Sequence, residues 1–398
     1  MIRLRKQNNL DITPMLEFDV PNIMAKALDG GDRPDEIISD FQDPYLELVR
    51  LLRESAEIEH ALMVQYLYAA FSIRDVYSGI VGPPIEHGDG LMPVAIQEME
   101  HLHEVTRLLM ALGATPNLVS QSFPYDADIY PFTLNLERLT LQSLAKYVFT
   151  EAAAESITPQ PGDDDPFLEL LFAELGSVRP NHLGSVYSRI IQLTERVQAD
   201  PPFELPDLTQ HIVELRHIKE QGEDAHFRFF KSVFLGEHPG FNGNSQVWQL
   251  PPNDPAYPSL PVQANPSAYE GHPHAIHNAE TRAIAMLGNL HYWIILMLLD
   301  LSYRNARPQY LGLAISNHMT GPLMTLGQLL AQRGVGLPFD PSNLSSSTGN
   351  DEATNLRFVK RLVLEAQGLT NNLRAAIGND EADGQIFTLQ DTFDSLGN

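Results

Sequence analysis

Two tetrapeptides carry the chemistry this chain could do. Glu98-Met99-Glu100-His101 and Glu223-Asp224-Ala225-His226 each place a glutamate three residues before a histidine. On an α-helix that spacing puts both side chains on one face, so a carboxylate oxygen and an imidazole nitrogen reach the same point. Two such helices, each preceded by a helix offering one inward glutamate, make the four-carboxylate, two-histidine box of dinuclear iron and manganese bundles. Glu59 and Glu151 are the candidates for the two remaining carboxylates. The expected metal ligands are therefore Glu59, Glu98, His101, Glu151, Glu223 and His226. Such a donor set suits iron first, as a di-iron pair, with manganese or zinc as alternatives.

The helices that must position these groups follow from the apolar period. From Pro44 one seam reads Leu48, Leu52, Ser55, Glu59, Leu62, Tyr66, Ala69, Ile73, and it selects Glu59 as the inward carboxylate of a helix over 44–77. The rival face, through Glu57 and His60, includes Arg50 and Arg53, which want water, and Glu57 is expected to face solvent or another helix. A second helix over 91–113 carries Val94, Glu98, His101, Val105, Leu108 and Leu112 on one seam. The overlapping pair Glu100–His103 sits beside Gln97, Glu104 and Arg107 and reads as a solvated face. A third, over 137–157, aligns Leu141, Leu144, Val148 and Glu151, with Glu155 one turn on. A fourth, over 207–235, aligns Glu223, His226, Phe230 and Val233, while Glu214–His217 points to its polar side. Gly222 is a poor helix former immediately before a ligand glutamate, the place for a π-bulge. Between helices two and three, residues 114–134 are proline-rich and aperiodic, long enough to cross the bundle from end to end.

Burying four carboxylates without cations would cost several kcal/mol each, so an inward cluster of this kind implies metal or raised pKa values. The chain has no cysteine, which excludes disulfides, iron–sulfur clusters and thiolate zinc. Its net charge of −25 argues against nucleic acid and anionic membrane as partners. The basic start Met1–Lys6 is not followed by an apolar stretch, and the longest apolar run, Tyr292–Leu299, is short for a membrane span. A cytoplasmic protein is expected. A further cluster, His272, His274 and His277 with Glu280, has the residue types for a second metal, but the favoured reading is a polar loop entering a helix.

The expected fold is all-α. Residues 1–43 form an irregular arm and 44–236 a four-helix metal-binding bundle, with inserted helices over 167–175 and 183–197. Residues 237–274 form a proline-rich connector lying over the bundle, and 275–398 a helical extension. The extension has helices over 276–303, 310–333 and 354–376, then a polar, acidic tail from Gly378 expected to be partly mobile.

At these residues a resemblance enters. Glu59 followed by Gln65-Tyr66 resembles the first helix of ferritins and bacterioferritins, and Glu98–His101 running into Leu112-Gly-Ala-Thr-Pro-Asn-Leu118 resembles their second helix and its exit. The stretch Leu51–Phe71 is more similar to the ferritin-like domain of the iminophenyl-pyruvate dimer synthases, as are Tyr257–Pro266 and Tyr292–Tyr303. The resemblance covers roughly residues 44–340 of a family whose pathway enzymes are longer chains. It implies a ferritin-like four-helix bundle and an enzyme coupling two imines derived from an aromatic amino acid.

The expected function is a metal-dependent oxidoreductase that uses O₂ or peroxide on a small organic substrate, such as an amino-acid-derived imine. Tyr66 shares a face with Glu59 and is the candidate catalytic group beside the metal, or a simple core residue. The rivals are an iron-handling protein and a non-catalytic partner subunit. The oligomeric state stays open, a homo-oligomer included.

Overall fold

The computed structural model describes residues 39–85, 87–118, 132–158, 165–176, 183–342 and 351–397. Almost all of the expected arm, most of the long crossover and the loop near residue 160 lie outside them.

The ligand-bearing helices start where local chemistry starts them. Helix α1 (Pro44–Ser72) has proline in its first turn, and the Asp43 side chain caps the amides of Tyr45 and Leu46. Helix α2 (Leu91–Ala111) is capped by Leu112 and followed by Gly113, whose φ of 81° is the left-handed conformation that favours glycine. Helix α3 (Leu141–Glu151) opens with a capping box between Thr140 and Ser143. After helices α4 (Pro166–Leu175) and α5 (Leu183–Ala199), helix α6 begins as Thr209–Glu220. It widens into a π turn at Gln221–His226 and resumes as Phe227–Phe234. The expected irregularity at Gly222 is therefore present.

Helix α1 packs against α2, α5 packs against α1 and the first part of α6, and α3 packs against the last part of α6. The third side of the bundle is thus shared. Helix α3 stops at Glu151 because Ala152 and Ala153 are extended, with ψ of 140° and 146°. Its 11 residues reach only ~16 Å. Helix α5, read from sequence as an insert, covers the rest.

The C-terminal helices are α7 (Ala279–Asn305), α8 (Pro308–Ala314, then a π segment Ile315–Leu323, then Met324–Gln332), α9 (Glu352–Asn372) and α10 (Asn379–Ser395). Helix α7 is long and apolar, and 83% of its most apolar window is buried in the fold. Among the described residues there are no strands; two isolated bridges, Ile73 with Ser259 and Ser267 with Ala275, tie the connector down.

Two expectations are corrected here. The rival face of α1 meets other parts of the chain rather than water: Glu57 and His60 are both buried. The Asn117 amide donates to Glu57 Oε1 at 2.9 Å, and the Tyr292 hydroxyl lies 2.6 Å from His60 Nε2. Arg53 is exposed and Arg50 partly so near the start of that face, but α7, far away in sequence, covers its later turns. The acidic tail, expected to be mobile, is helix α10. Its buried residues Ala382, Gln385, Leu389 and Thr392 recur at helical spacing inside a polar composition.

Helix α10 seals a buried pair of histidines. The Thr392 hydroxyl donates to Thr388 O at 2.9 Å and accepts from His318 Nε2 at 3.0 Å. That leaves His318 Nδ1 as the acceptor from His291 Nδ1–H, 2.9 Å away. Burial pushes His291 down to about 4, and burial together with its neighbour holds His318 well below the usual range.

Candidate metal centre

Four helices deliver the site. Glu59 comes from α1, Glu98 and His101 from α2, Glu151 from the last turn of α3, and His226 from the π turn of α6. His101 Nδ1 lies 2.9 Å from Glu98 Oε2 and 3.5 Å from Glu59 Oε2. His226 Nδ1 lies 3.0 Å from Glu98 Oε1 and 3.4 Å from Glu151 Oε2. Glu98 is therefore common to two triads, Glu59–Glu98–His101 and Glu98–Glu151–His226, each with one donor atom per residue within 4.8 Å of the others. All of these side chains are buried. The two imidazoles stack with ring centroids 5.6 Å apart.

A second layer fixes them. His101 Nε2 meets Gln221 Oε1 at 2.8 Å and His226 Nε2 meets Gln97 Oε1 at 2.7 Å. With each amide oxygen accepting from Nε2–H, both Nδ1 lone pairs face the carboxylates. The Tyr66 hydroxyl donates to Glu151 Oε1 at 2.5 Å, and the Tyr187 hydroxyl donates to Glu59 Oε1. Apart from these imidazole nitrogens, Glu59 Oε2 and Glu98 Oε1 are buried without a hydrogen-bond partner. Buried carboxylate oxygens without donors, facing imidazole lone pairs, leave the position between them electrostatically suited to a cation. The donor set fits iron or manganese.

Without metal, protons take that role. Against the cost of burial, the attraction of Glu98 raises His101 well above its usual value and His226 to about 9. Burial, then the charge of Glu98, pushes Glu59 up to about 8. Although burial acts upward on Glu98, the two imidazoles hold it well below the carboxylate range. The order is that of a carboxylate shared between two cations.

Glu223 is not drawn into the cluster. Its Oε2 pairs with Lys219 Nζ at 2.9 Å, and its side chain is 22% exposed. It lines a cavity of about 10 Å³ together with Lys219, His101, Glu151 and Tyr187. The structure thus gathers Glu59, Glu98, His101, Glu151 and His226 and leaves Glu223 at the mouth. The π turn separates them, since it turns His226 inward and leaves Glu223 on the outer wall. Gly222 leaves room within it: a Cβ there would stand 3.1 Å from Glu151 Oε2.

Sequence reasoning missed Tyr187, Gln97 and Gln221. Tyr187 sits on a seam of buried residues, Val186, Ile190, Leu193 and Val197, and that seam was the available signal. Gln97 was read as a mark of the solvated side, yet it is buried against His226. The Glu100–His103 face is also not simply solvated, because His103 Nδ1 lies 2.8 Å from the Tyr303 hydroxyl. His217 and Glu155 are exposed. His272, His274 and His277 are exposed too and belong to no metal-holding group among the described residues.

Residues 52–234 match the family model described as Ferritin-like, and this part of the chain is a ferritin-like domain. The chain is 25% identical to the dichlorochromopyrrolate synthase of Lentzea aerocolonigenes, over 82% of this chain and 37% of that protein. It therefore spans little more than a third of the relative's length. No solved structure matches it.

Proposed function

We propose that this chain is a di-iron oxidoreductase that acts on a small organic substrate, with an amino-acid-derived imine as the substrate class. The observation that carries the reading is the pair of buried triads sharing Glu98, with carboxylate oxygens that have no donor. A relative named as a dichlorochromopyrrolate synthase supports a small organic substrate. Bound iron would supply electron transfer to and from O₂ or peroxide.

The protein's own residues do the rest. Gln97 and Gln221 hold the proton on Nε2 of each imidazole, so Nδ1 remains the ligand atom. Tyr187 and Tyr66 orient Glu59 and Glu151 by donating to one oxygen of each. Burial and the charge of Glu151 raise Tyr66 well above an ordinary phenol, so it stays protonated and acts as a donor. Glu223, paired with Lys219 beside the site, would supply the further carboxylate of the ligand set.

Metal analysis of protein purified from iron-supplied cells, with an optical spectrum recorded anaerobically and after O₂, tests the proposal. Expected are iron bound as a pair and an O₂-dependent change in the near-ultraviolet. Sub-stoichiometric metal, with a melting temperature indifferent to chelator, would replace this reading with a non-catalytic subunit.

A further inference from the structure

The side of α2 opposite the metal ligands borders a different kind of space. Met99 follows Glu98 by one position and His103 follows His101 by two, so they turn ~100° and ~200° away from those ligands. There α1 and α2 stand apart from α7 and α8 around a cavity of about 440 Å³. This volume lies within the usual small-molecule range of ~300–1,000 Å³. It is separate from the cavity of about 10 Å³ at the metal centre.

The walls have a distinctive chemistry. Five of the chain's 11 methionines line the cavity: Met63, Met92, Met99, Met319 and Met324. Thioethers are polarisable, adapt in shape and make favourable contacts with aromatic rings. No lysine or arginine is among the lining residues, and the exposed Glu100 carboxylate at the edge disfavours an anion. One oriented polar pair interrupts the apolar wall. The Tyr303 hydroxyl lies 2.8 Å from His103 Nδ1, with the rings 5.4 Å apart. With the more acidic phenol as donor, the imidazole proton sits on Nε2, the one ring donor left for a ligand.

We propose that this cavity is a binding site for an uncharged aromatic molecule with a single hydrogen-bond acceptor, its rings among the methionines and its acceptor on His103 Nε2–H. The site requires no metal and stands independently of the reaction proposed above. Since α2 carries both the ligand pair and His103, it forms the partition between the two sites.

The test uses the full chain and Prodan, a neutral naphthalene ketone whose emission reports polarity and hydrogen bonding. Saturable binding with blue-shifted emission is expected. Leu296→Trp, which fills the cavity from α7, should weaken binding at least tenfold with bound metal unchanged. His103→Leu should weaken it about fivefold, the value of one net hydrogen bond, and shift the bound emission further to the blue. A purely structural role for His103 would not produce that extra shift. Circular dichroism checks folding; if Leu296→Trp does not fold, Met319→Trp blocks the cavity from α8. Absence of saturable binding, or binding indifferent to the filling variant and to His103→Leu, would overturn the assignment.

Discussion

The molecule buries two pairs of histidines, and they titrate in opposite directions. In the bundle, His101 and His226 face carboxylates and are raised, His226 to about 9. In the C-terminal region, His291 and His318 face each other and Thr392 and are lowered, His291 to about 4. Burial is essentially the same in both places, so burial alone decides nothing. The partners decide: carboxylates make the first pair a cation holder, and a neutral hydrogen-bond chain makes the second a structural lock.

The largest expected effect breaks the first pair. Glu98→Ala or His226→Ala should abolish tight metal binding, measured by metal analysis after dialysis. His217→Ala, on an exposed face, should leave it nearly intact. The lost stabilisation is about 4 kcal/mol when free metal stands near a thousand times Kd. Equal losses from all three substitutions would show that the buried cluster is not the ligand set.

Acid and alkali should separate the two pairs in metal-free protein. His291 is depressed in the fold, so the unfolded chain binds more protons between about 4 and the usual value near 6.5. Its neutral-state contribution is therefore present above that range and lost as pH falls through it, at about 3 kcal/mol. His226 is raised, so its contribution is full below about 6.5 and is lost as pH rises through about 9. Hydrogen exchange should show α10 opening first in acid and the π turn of α6 opening first in alkali. The same element opening first at both extremes would contradict the comparison.

Removing the second layer is a smaller change. Gln97→Leu or Tyr187→Phe should lower metal affinity ~10- to 100-fold while the fold survives, measured by competition with a chelator. Smallest is Gly222→Ala. A Cβ 3.1 Å from Glu151 Oε2 should displace that ligand and weaken metal binding. The change in metal-free stability should stay within about 1 kcal/mol, because alanine's helix preference offsets the crowding. Unchanged affinity would mean that Glu151 has room to spare.

Helix existence and the inward choice of Glu59 over Glu57 were legible, because an apolar seam has a period that a short window reveals. What failed had its cause elsewhere in the chain. His60 and His103 look polar in their own helices and are covered by Tyr292 and Tyr303 of α7, some two hundred residues on. Tyr187 reaches Glu59 from a helix that local pattern marks as an insert. Glu223 departs from the cluster because a π turn shifts the register on which the helical argument depends.

The extended pair Ala152–Ala153 directly after Glu151 has a mechanical consequence. A continuous helix is a stiff rod: moving one carboxylate drags the turns on both sides. Here the rod is cut at the carboxylate, so Glu151 sits at a helix end, held by Tyr66 on one oxygen and facing His226 with the other. The other walls can stay rigid while this corner takes up the difference between ions of unequal radius, or between oxidation states of one ion. The bundle thereby has a built-in compliant member beside a stiff frame.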